Sequence, residues 1–377
     1  MRFVIAPDSF KGSLTAAEVA ESIERGIKRV FSDVIIDKIP MADGGEGTVQ
    51  SLVDSTGGRI INLKVSDPLM KEVDSFYGIL GDGKTAIIEM AAASGLPLVS
   101  EKERNPIITT TYGTGELVKD SLNKGCKNII IGLGGSATND GGVGMLQSLG
   151  VKFLDYNGED IGQGGGSLKK LDRIDISNID PRLNECNIIA ACDVTNPLCG
   201  ESGASYVFGP QKGADNEMVK ELDEALNNYA EIIKKCLEKD ILNEPGSGAA
   251  GGMGAGLMAF FNAKLEKGID IVTKLTDLDR KVRGADFVFT GEGMMDYQTG
   301  FGKTPYGVAM IAKKYNIPVI GITGGIGKGS EVLFENGFNS IFSIVDAPMS
   351  LEEAMINGEI LIERTTERIL RVIKLYM

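Results

Sequence analysis

The sequence predicts an α/β protein made of two α/β domains: a doubly wound parallel-sheet domain and a second, mixed α/β domain inserted into it. Three observations favour this class. Strand-like and helix-like patterns alternate near both ends of the chain, whereas the middle carries short runs typical of antiparallel strands. Hydrophobic residues make up 42% of the 377 residues, which is enough for large cores. At roughly 150 residues per domain, this length suits two domains.

The first strand–helix–strand unit lies at the N-terminus. Residues 3–6 are apolar and predict a short buried strand. Thr15 and Glu18 have the spacing of a capping box, which predicts the start of a helix. Residues 34–36 begin the next strand. A connection of this length indicates a right-handed crossover and therefore a parallel sheet.

The C-terminal part repeats this pattern. Apolar runs predict three strands, at residues 286–290, 318–323 and 341–345. A helix is predicted over residues 306–315, and Ser350 with Glu353 caps a last helix. The two ends of the chain therefore predict one discontinuous Rossmann-like domain, formed by residues 1–60 and 285–377.

The middle of the chain, residues 61–284, predicts the inserted mixed α/β domain. Alternating runs over residues 60–89, with a hairpin turn at 81–83, indicate antiparallel strands. Residues 217–242 are charged and helical in pattern. The segment 113–133, a predicted helix followed by a strand, could belong to either domain.

Composition excludes several classes of mechanism and partner. The chain has no histidine, so Ser-His, Cys-His and His-ligated metal mechanisms are ruled out. Its net charge of −13 argues against nucleic acid and anionic membranes as partners. The five cysteines contain no CxxC pair and predict reduced thiols. Neither a membrane span nor a signal peptide is indicated, so we expect a cytoplasmic protein.

Charged residues follow the predicted strands, at the edge where open α/β sheets bind ligands. Asp8 and Lys11 follow the first strand, Asp193 follows a middle strand, and Glu292 with Asp296 follow the strand at 286–290. Lys11 could neutralise a phosphate, and Asp8 could hold Mg²⁺ or orient a hydroxyl. A structural Asx-turn beside a solvated lysine is the alternative.

The richest glycine loop is GLGGSATNDGG, at residues 132–142. Successive glycines let backbone N–H groups converge on an anion, which predicts a phosphate or substrate loop rather than a merely structural turn. Its candidate binding residues are Gly134, Gly135, Ser136, Asn139 and Asp140. A dinucleotide fingerprint also nearly fits, but later glycines interrupt the helix that it needs. The loop of galactokinase-like kinases follows a proline that residues 127–131 lack.

Three other glycine-containing segments are weaker candidates. Residues 43–48 combine glycines with carboxylates, either as a ligand loop or as a tight loop that enters a helix at Glu46. Residues 208–213 place Lys212 in a turn. Residues 246–256 either cradle a phosphate or allow close helix packing.

Lys303 lies in a Gly-Lys-Thr sequence that is similar to the tail of a Walker A loop. Tyr297 stands where that loop requires its first glycine, so this is not a standard P-loop. Glycine loops, isolated lysines and strand-end acids together favour phosphoryl transfer, which depends on positioning and charge neutralisation. Another anion-binding enzyme and a non-catalytic binding module remain as alternatives.

Nine stretches of the chain, in family order, resemble the bacterial class I glycerate kinases. They are APDSFKGSLTA (6–16), MADGGEGT (41–48), IIEMAAASGL (87–96), ERNPIITTTYGTGEL (103–117), GLGGSATNDGG (132–142), CDVTNPLCG (192–200), VFGPQKGA (207–214), GSGAAGGMGAG (246–256) and TGEGMMDYQTGFGKTPYGVA (290–309). Long collinear matches are far more specific than one glycine loop. Met294 departs from the family, because many members carry a polar or basic residue there.

The resemblance implies ATP- and Mg²⁺-dependent phosphorylation of D-glycerate, mainly to 2-phosphoglycerate, with 3-phosphoglycerate as the other product. It also implies two α/β domains with the site in the cleft between them. An NAD-dependent oxidoreductase of a small hydroxy acid and a kinase of a different small sugar acid stay open as alternatives. A homo-oligomer also stays open.

We expect the glycine loops and Lys11 or Lys303 to bind the phosphates of MgATP. A carboxylate accepts the proton of the glycerate hydroxyl; Asp193 and Asp296 are the leading candidates and Asp8 is the third. One of the first two would instead hold Mg²⁺.

Arg104 is expected to clamp the glycerate carboxylate, because its fork of N–H donors fits that group. A surface ion pair with Glu101 or Glu103 is the alternative for Arg104. Lys212 and Glu292 complete the expected substrate- and phosphate-binding residues.

Overall fold

The computed structural model describes residues 1–42, 44–45 and 47–376. The strands are β1 Arg2–Ile5, β2 Ile35–Lys38, β3 Arg59–Ser66, β4 Glu72–Ile79, β5 Thr85–Glu89, β6 Asn128–Gly132, β7 Lys152–Leu154, β8 Arg173–Asp175, β9 Asn187–Ala191, β10 Lys264–Glu266, β11 Phe287–Thr290, β12 Met294–Met295, β13 Val319–Thr323, β14 Gly325–Ile326 and β15 Ser340–Ser343. The α-helices are α1 Ala16–Val30, α2 Thr48–Thr56, α3 Ala91–Ser94, α4 Tyr112–Asn123, α5 Val143–Ser148, α6 Ala204–Phe208, α7 Asn216–Leu237, α8 Ala249–Phe261, α9 Gly268–Leu275, α10 Leu278–Val282, α11 Thr304–Lys314, α12 Val332–Glu335, α13 Leu351–Ile356 and α14 Gly358–Ile373.

The chain divides into two compact units. The first unit comprises Met1–Asp43, Gln50–Gly57 and Ile269–Met377, and the second comprises Gly44–Val49 and Gly58–Gly268. The segment 113–133, with nearly all of α4 and the whole of β6, lies in the second unit.

The first unit is built on a five-stranded parallel sheet in the order β15–β13–β11–β1–β2. The chain starts in the middle of the sheet, adds β2 on one side, and later adds β11, β13 and β15 on the other. This order is doubly wound, and its switch point lies between β1 and β11. The α/β class with a doubly wound parallel sheet is therefore confirmed.

Local signals position the elements of the first unit. Phe3, Val4 and Ile5 of β1 are fully buried, as expected for an apolar strand inside a parallel sheet. The capping box of α1 is present, with Thr15 Oγ1 accepting from Glu18 N and the Glu18 carboxylate accepting from Thr15 N. The box at Ser350 and Glu353 is also present and begins α13.

The predicted last helix is in fact two helices. Asn357 ends α13, and α14 follows from Gly358. The Asn357 side chain donates to Glu353 O at 2.8 Å, and such local bonds of asparagine compete with helix continuation. This difference does not alter the sheet edge where the candidate site lies.

The second unit has a six-stranded mixed sheet in the order β10–β9–β6–β5–β4–β3. β5, β6, β9 and β10 run parallel, whereas β3, β4 and β5 are joined antiparallel. The antiparallel strands predicted within residues 60–89 are therefore confirmed. The last residues of the parallel strands lie in one row across the sheet, in the order Glu89, Gly132, Ala191 and Glu266.

Helices of the second unit follow the predicted segments with one irregularity. The charged segment forms α7. The Gly/Ala-rich segment leads into α8, in which Ala250, Gly251 and Gly252 take left-handed backbone angles. A Cβ on Gly251 would lie 2.0 Å from Thr138 O, so this turn packs directly on the GLGGSATNDGG loop. Among the described residues, no helix combines the length and apolarity needed to cross a bilayer.

Candidate active site

The loops that follow β1 and β11 meet at the switch point of the first unit. Asp8 N donates to Gly291 O at 2.8 Å. A Cβ on Gly293 would lie 3.5 Å from Phe10 Cα, so the two loops are in close contact. Asp8 is nearly buried and its Oδ1 accepts from Ser9 N, whereas Lys11 is exposed. Two sequence-predicted residues thus lie where doubly wound sheets bind ligands.

Glu292 lies on the same edge in a half-buried position. Its carboxylate accepts from Thr299 Oγ1 at 2.7 Å and from Lys303 Nζ at 3.5 Å. Burial raises the pKa of Glu292 above its ordinary value, although Thr299 and Lys303 act in the opposite direction. The Glu292–Lys303 ion pair therefore places one acid and one cation beside each other after the end of β11.

Asp296 caps a short 3₁₀-helix, Tyr297–Phe301. Its Oδ1 accepts from Gln298 N at 2.8 Å, and Thr299 Oγ1 accepts from Asp296 N at 3.1 Å. Lys303 then precedes α11, which begins at Thr304. The hydroxyl of Thr304 is buried and has no partner among the described residues.

The GLGGSATNDGG loop leaves β6 at the carboxyl edge of the second unit. Leu133 N donates to Ala191 O and Ala137 N donates to Ser94 O. Within the described chain, no acceptor is found for the N–H groups of Gly134, Gly135 and Ser136. Gly134 and Gly135 are exposed, and Gly135 has a φ of 75°, which a side chain would disfavour. These amides can bind an anion.

Asp193 follows β9 on the same edge. The residue is exposed, and its Oδ1 accepts from Gly268 N at 3.2 Å. Since Gly268 follows β10, Asp193 lies at the end of two adjacent parallel strands. A ligand in solvent can therefore reach this carboxylate.

Asp140 lies inside the second unit and is only 1% exposed. Its carboxylate accepts from Thr111 N at 2.8 Å, Thr111 Oγ1 at 2.9 Å, Gly142 N at 3.1 Å and Gly144 N at 3.2 Å. Burial raises the pKa of Asp140, against the effect of these hydrogen bonds. In this structure the carboxylate ties the glycine loop to the starts of α4 and α5.

Lys212 is also inside the second unit, at 1% exposure. Its Nζ donates to Thr138 O at 2.6 Å. Burial lowers the pKa of Lys212 to about 7, although the charge of Asp140 acts to raise it. Asn139 is buried too, and its Nδ2 donates to Ser205 Oγ at 3.0 Å.

Arg104 lies against the turn that carries Lys212. A Cβ on Gly213 would lie 2.4 Å from Arg104 O. Arg104 Nε is buried, and no described carboxylate pairs with it. Glu103 instead pairs with Lys71 at 3.2 Å.

Two hydroxyls of this region were not singled out by the sequence. Thr138 Oγ1 and Ser247 Oγ are buried and have no partner among the described residues. Both residues lie within motifs that resemble those of the glycerate kinases, and this resemblance was the only feature of the sequence that could have pointed to them. The segments at 103–106, 138–142, 208–213 and 246–252 therefore pack together although they are distant in sequence.

We expect Lys212 to make the stability of the fold pH-dependent. Between pH 7 and 10.5 the buried amine is neutral when folded but protonated when unfolded. The unfolded state then binds one proton more, so the free energy of unfolding rises with pH by up to about 1.4 kcal/mol per unit from this group. Lys212→Met should flatten that rise in urea unfolding across this range. The exposed Lys152→Met is the control, and parallel curves for Lys212→Met and the unaltered chain would contradict the expectation.

The structure distributes the predicted residues over the two units. Asp8, Lys11, Glu292, Asp296 and Lys303 belong to the first unit. Arg104, Asp193, Lys212 and the GLGGSATNDGG loop belong to the second. Of the segment 43–48, Asp43 and the predicted helix entry at Glu46 lie outside the described residues.

Comparison with known proteins identifies the family. A family model described as the glycerate kinase family matches residues 3–374. A glycerate kinase from Halalkalibacterium halodurans is 54% identical over 366 residues, which cover 97% of this chain and 96% of the relative. A glycerate 2-kinase from Escherichia coli is 53% identical over 354 residues, 94% of this chain and 93% of the relative.

A solved structure agrees with these relatives. The crystal structure of a candidate glycerate kinase 2 from Salmonella typhimurium LT2 has a TM-score of 0.92 and 50% identity, and the match covers 100% of this chain and 98% of that one. The resemblance drawn from the nine motifs is confirmed, and an NAD-dependent oxidoreductase is not favoured. The chain belongs to the glycerate kinase family.

Proposed function

We propose that the chain transfers the γ-phosphoryl group of ATP to the 2-hydroxyl of D-glycerate. The observation that carries this proposal is identity above one half over nearly the whole length of a glycerate 2-kinase. The match covers 94% of this chain. The 3-hydroxyl is the other acceptor that the family resemblance left open, and product analysis distinguishes the two.

Phosphate binding is assigned to backbone amides and isolated lysines. The N–H groups of Gly134, Gly135 and Ser136 are available at the end of β6. Lys303 immediately precedes α11, whose N-terminus attracts anions, and Lys11 is exposed at the switch point. These donors neutralise charge without histidine, as phosphoryl transfer requires.

Asp193 is assigned as the acceptor of the hydroxyl proton. It is exposed at a ligand-binding edge, whereas Asp296 is only partly exposed and Asp8 is nearly buried. A carboxylate in hydrogen-bond reach of the hydroxyl takes its proton as the oxygen attacks the γ-phosphorus. Asp296 is the second candidate for the proton acceptor, and Asp8 is the third.

Asp296, with Glu292 nearby, is assigned to Mg²⁺. Carboxylate oxygens are the donors that Mg²⁺ prefers, and one or two suffice when nucleotide phosphates and water complete its shell. This donor set fits, although no group of three or more potential ligand side chains occurs in the described part of the chain. The ion supplies charge neutralisation on the phosphates when it is bound.

Arg104 is assigned to the glycerate carboxylate. Its buried Nε lacks a partner among the described residues, and a planar guanidinium matches a carboxylate in a bidentate manner. Asn139, Asp140 and Lys212 remain proposed substrate- and phosphate-binding residues. In the structure they hold the glycine loop in shape, so we propose that they act on ligands through that loop.

The proposal is tested by following ADP release with a panel of small hydroxy acids, in the presence of ATP and Mg²⁺. We expect D-glycerate to give the highest kcat/KM and L-glycerate, lactate and tartronate to give much lower values. A higher kcat/KM with another sugar acid would reassign the substrate. Two results together would contradict the kinase assignment altogether: no ADP release with any acid, and quenching of the protein's tyrosine fluorescence by NADH.

We also propose that the enzyme acts in the cytoplasm, since its five cysteines are free thiols in the structure. Cell fractionation with an antibody tests this location. A homo-oligomer remains a prediction that light scattering can examine.

A further inference from the structure

The first unit carries exposed apolar side chains beside its acidic and basic residues. Met294, Tyr297, Phe301 and Ile326 are 53%, 51%, 81% and 49% exposed. They come from the two loops that follow β11 and β13. Large apolar groups gathered at a ligand-binding edge of a sheet are typical of a binding surface.

The two loops are held together by backbone contacts. β12 pairs with β14, which sets Met294 beside Gly325 and Met295 beside Ile326. Tyr297 N donates to Lys328 O at 3.2 Å. The surface is therefore built from ordered elements rather than from a free loop.

An aromatic pair forms the largest part of this surface. The rings of Tyr297 and Phe301 lie edge to face, with centroids 6.2 Å apart and planes at 85°. The 3₁₀-helix that carries both is fixed by the Asp296 cap. Edge-to-face packing leaves ring faces for a further flat group, and Phe301 is the more exposed of the two.

Phosphate-binding features adjoin the aromatic pair. Lys303 follows Phe301 by two residues and precedes α11, a helix of 11 residues. The buried, unpartnered hydroxyl of Thr304 lies in the first turn of the same helix. A flat apolar surface beside a cation and helix amides has the chemistry of a nucleotide site, with stacking for the base and charge for the phosphates.

We propose that Tyr297 and Phe301 form the nucleobase platform of this enzyme, with the adenine of ATP stacked on Phe301. The inference rests on the proposed use of ATP and adds the residues that recognise its base. Met294 and Ile326 extend the apolar contact. The platform is a binding element and takes no part in proton or phosphoryl transfer.

Fluorescence provides a direct test, because the chain contains no tryptophan. Phe301→Trp places a single reporter at the platform, and stacking of adenine should quench it in a saturable manner when ATP is added. Inorganic tripolyphosphate, which has no base, should not quench it. Tyr156→Trp, at an 84% exposed position of the second unit, is the control and should not respond to ATP.

Steady-state kinetics provide the second readout. Phe301→Ala should raise KM for ATP about 5- to 150-fold, because a stacked base contributes about 1–3 kcal/mol. The kcat and the KM for glycerate should stay within about twofold, and Phe301→Tyr should restore KM for ATP. Since Phe301 is exposed, these substitutions leave the core intact.

Two results would overturn the platform. One is an active Phe301→Trp enzyme that ATP does not quench, or that tripolyphosphate quenches equally. The other is an unchanged KM for ATP in Phe301→Ala combined with Tyr297→Ala. Either result leaves the proposed reaction standing, whereas failure of the unaltered enzyme to release ADP from ATP and glycerate would overturn the reaction itself.

Discussion

Asp193→Asn is expected to lower kcat by about 10²–10⁴-fold. The substitution keeps the size of the side chain and the oxygen that accepts from Gly268 N, so the loop after β9 is preserved. An amide cannot accept the proton of the attacking hydroxyl, and the loss therefore falls on the chemical step. KM for ATP should change little. Initial rates at saturating ATP and glycerate measure the effect.

Three matched variants show whether the loss is specific. Asp172→Asn alters an exposed aspartate of the same unit and should leave kcat unchanged. Asp296→Asn should mainly raise the requirement for Mg²⁺, and Asp8→Asn should lower kcat less than Asp193→Asn does. Near-normal kcat in Asp193→Asn, with a hundredfold loss in either of the other two, would move the proton acceptor to that residue.

Asp140→Ala is expected to cost about 3–5 kcal/mol of folding free energy. The carboxylate satisfies the buried amides of Thr111, Gly142 and Gly144, and alanine leaves all three without an acceptor. Asparagine keeps one acceptor oxygen, which can still serve Thr111 N and Gly144 N, so Asp140→Asn should cost less than Asp140→Ala. Urea unfolding followed by circular dichroism gives the difference.

Asp155→Ala is the control for the loss of folding free energy in Asp140→Ala. Asp155 Oδ1 also accepts two backbone amides, from Asn157 and Glu159, but these bonds are exposed. Water replaces the lost acceptor there, so the cost should stay below about 1 kcal/mol. Equal losses of unfolding free energy in Asp140→Ala and Asp155→Ala would show that the buried hydrogen bonds of Asp140 stabilise the fold no more than exposed ones do.

The elements with local signals could be predicted from the sequence. β1 is a continuous apolar run, and the capping boxes at Thr15 and Ser350 need only residues three positions apart. Once apolar runs define the strands, the residues just after each run lie at the carboxyl edge of the sheet. Asp193 and Glu292 could be placed at that edge for this reason. These features depend on neighbours in the chain, and the structure bears them out.

Features that depend on distant contacts could not be predicted. Lys212 donates to Thr138 O across 74 positions, and Asp140 binds Thr111 across 29. No pattern within either segment reveals the partner or the burial of these charges. The left-handed turn at Ala250–Gly252, which packs against the glycine loop through Gly251, likewise has no local signal, because alanine ordinarily avoids positive φ. The roles of these residues toward ligands stay predictions.

Phosphorus NMR of one reaction mixture tests the central claim most directly. The enzyme is mixed with ATP, Mg²⁺ and D-glycerate, and spectra are recorded with proton coupling. The account predicts that ATP is converted to ADP while a phosphate ester grows as a doublet, coupled to the single proton on carbon 2. A triplet from an ester on carbon 3, or inorganic phosphate with no ester at all, would contradict it.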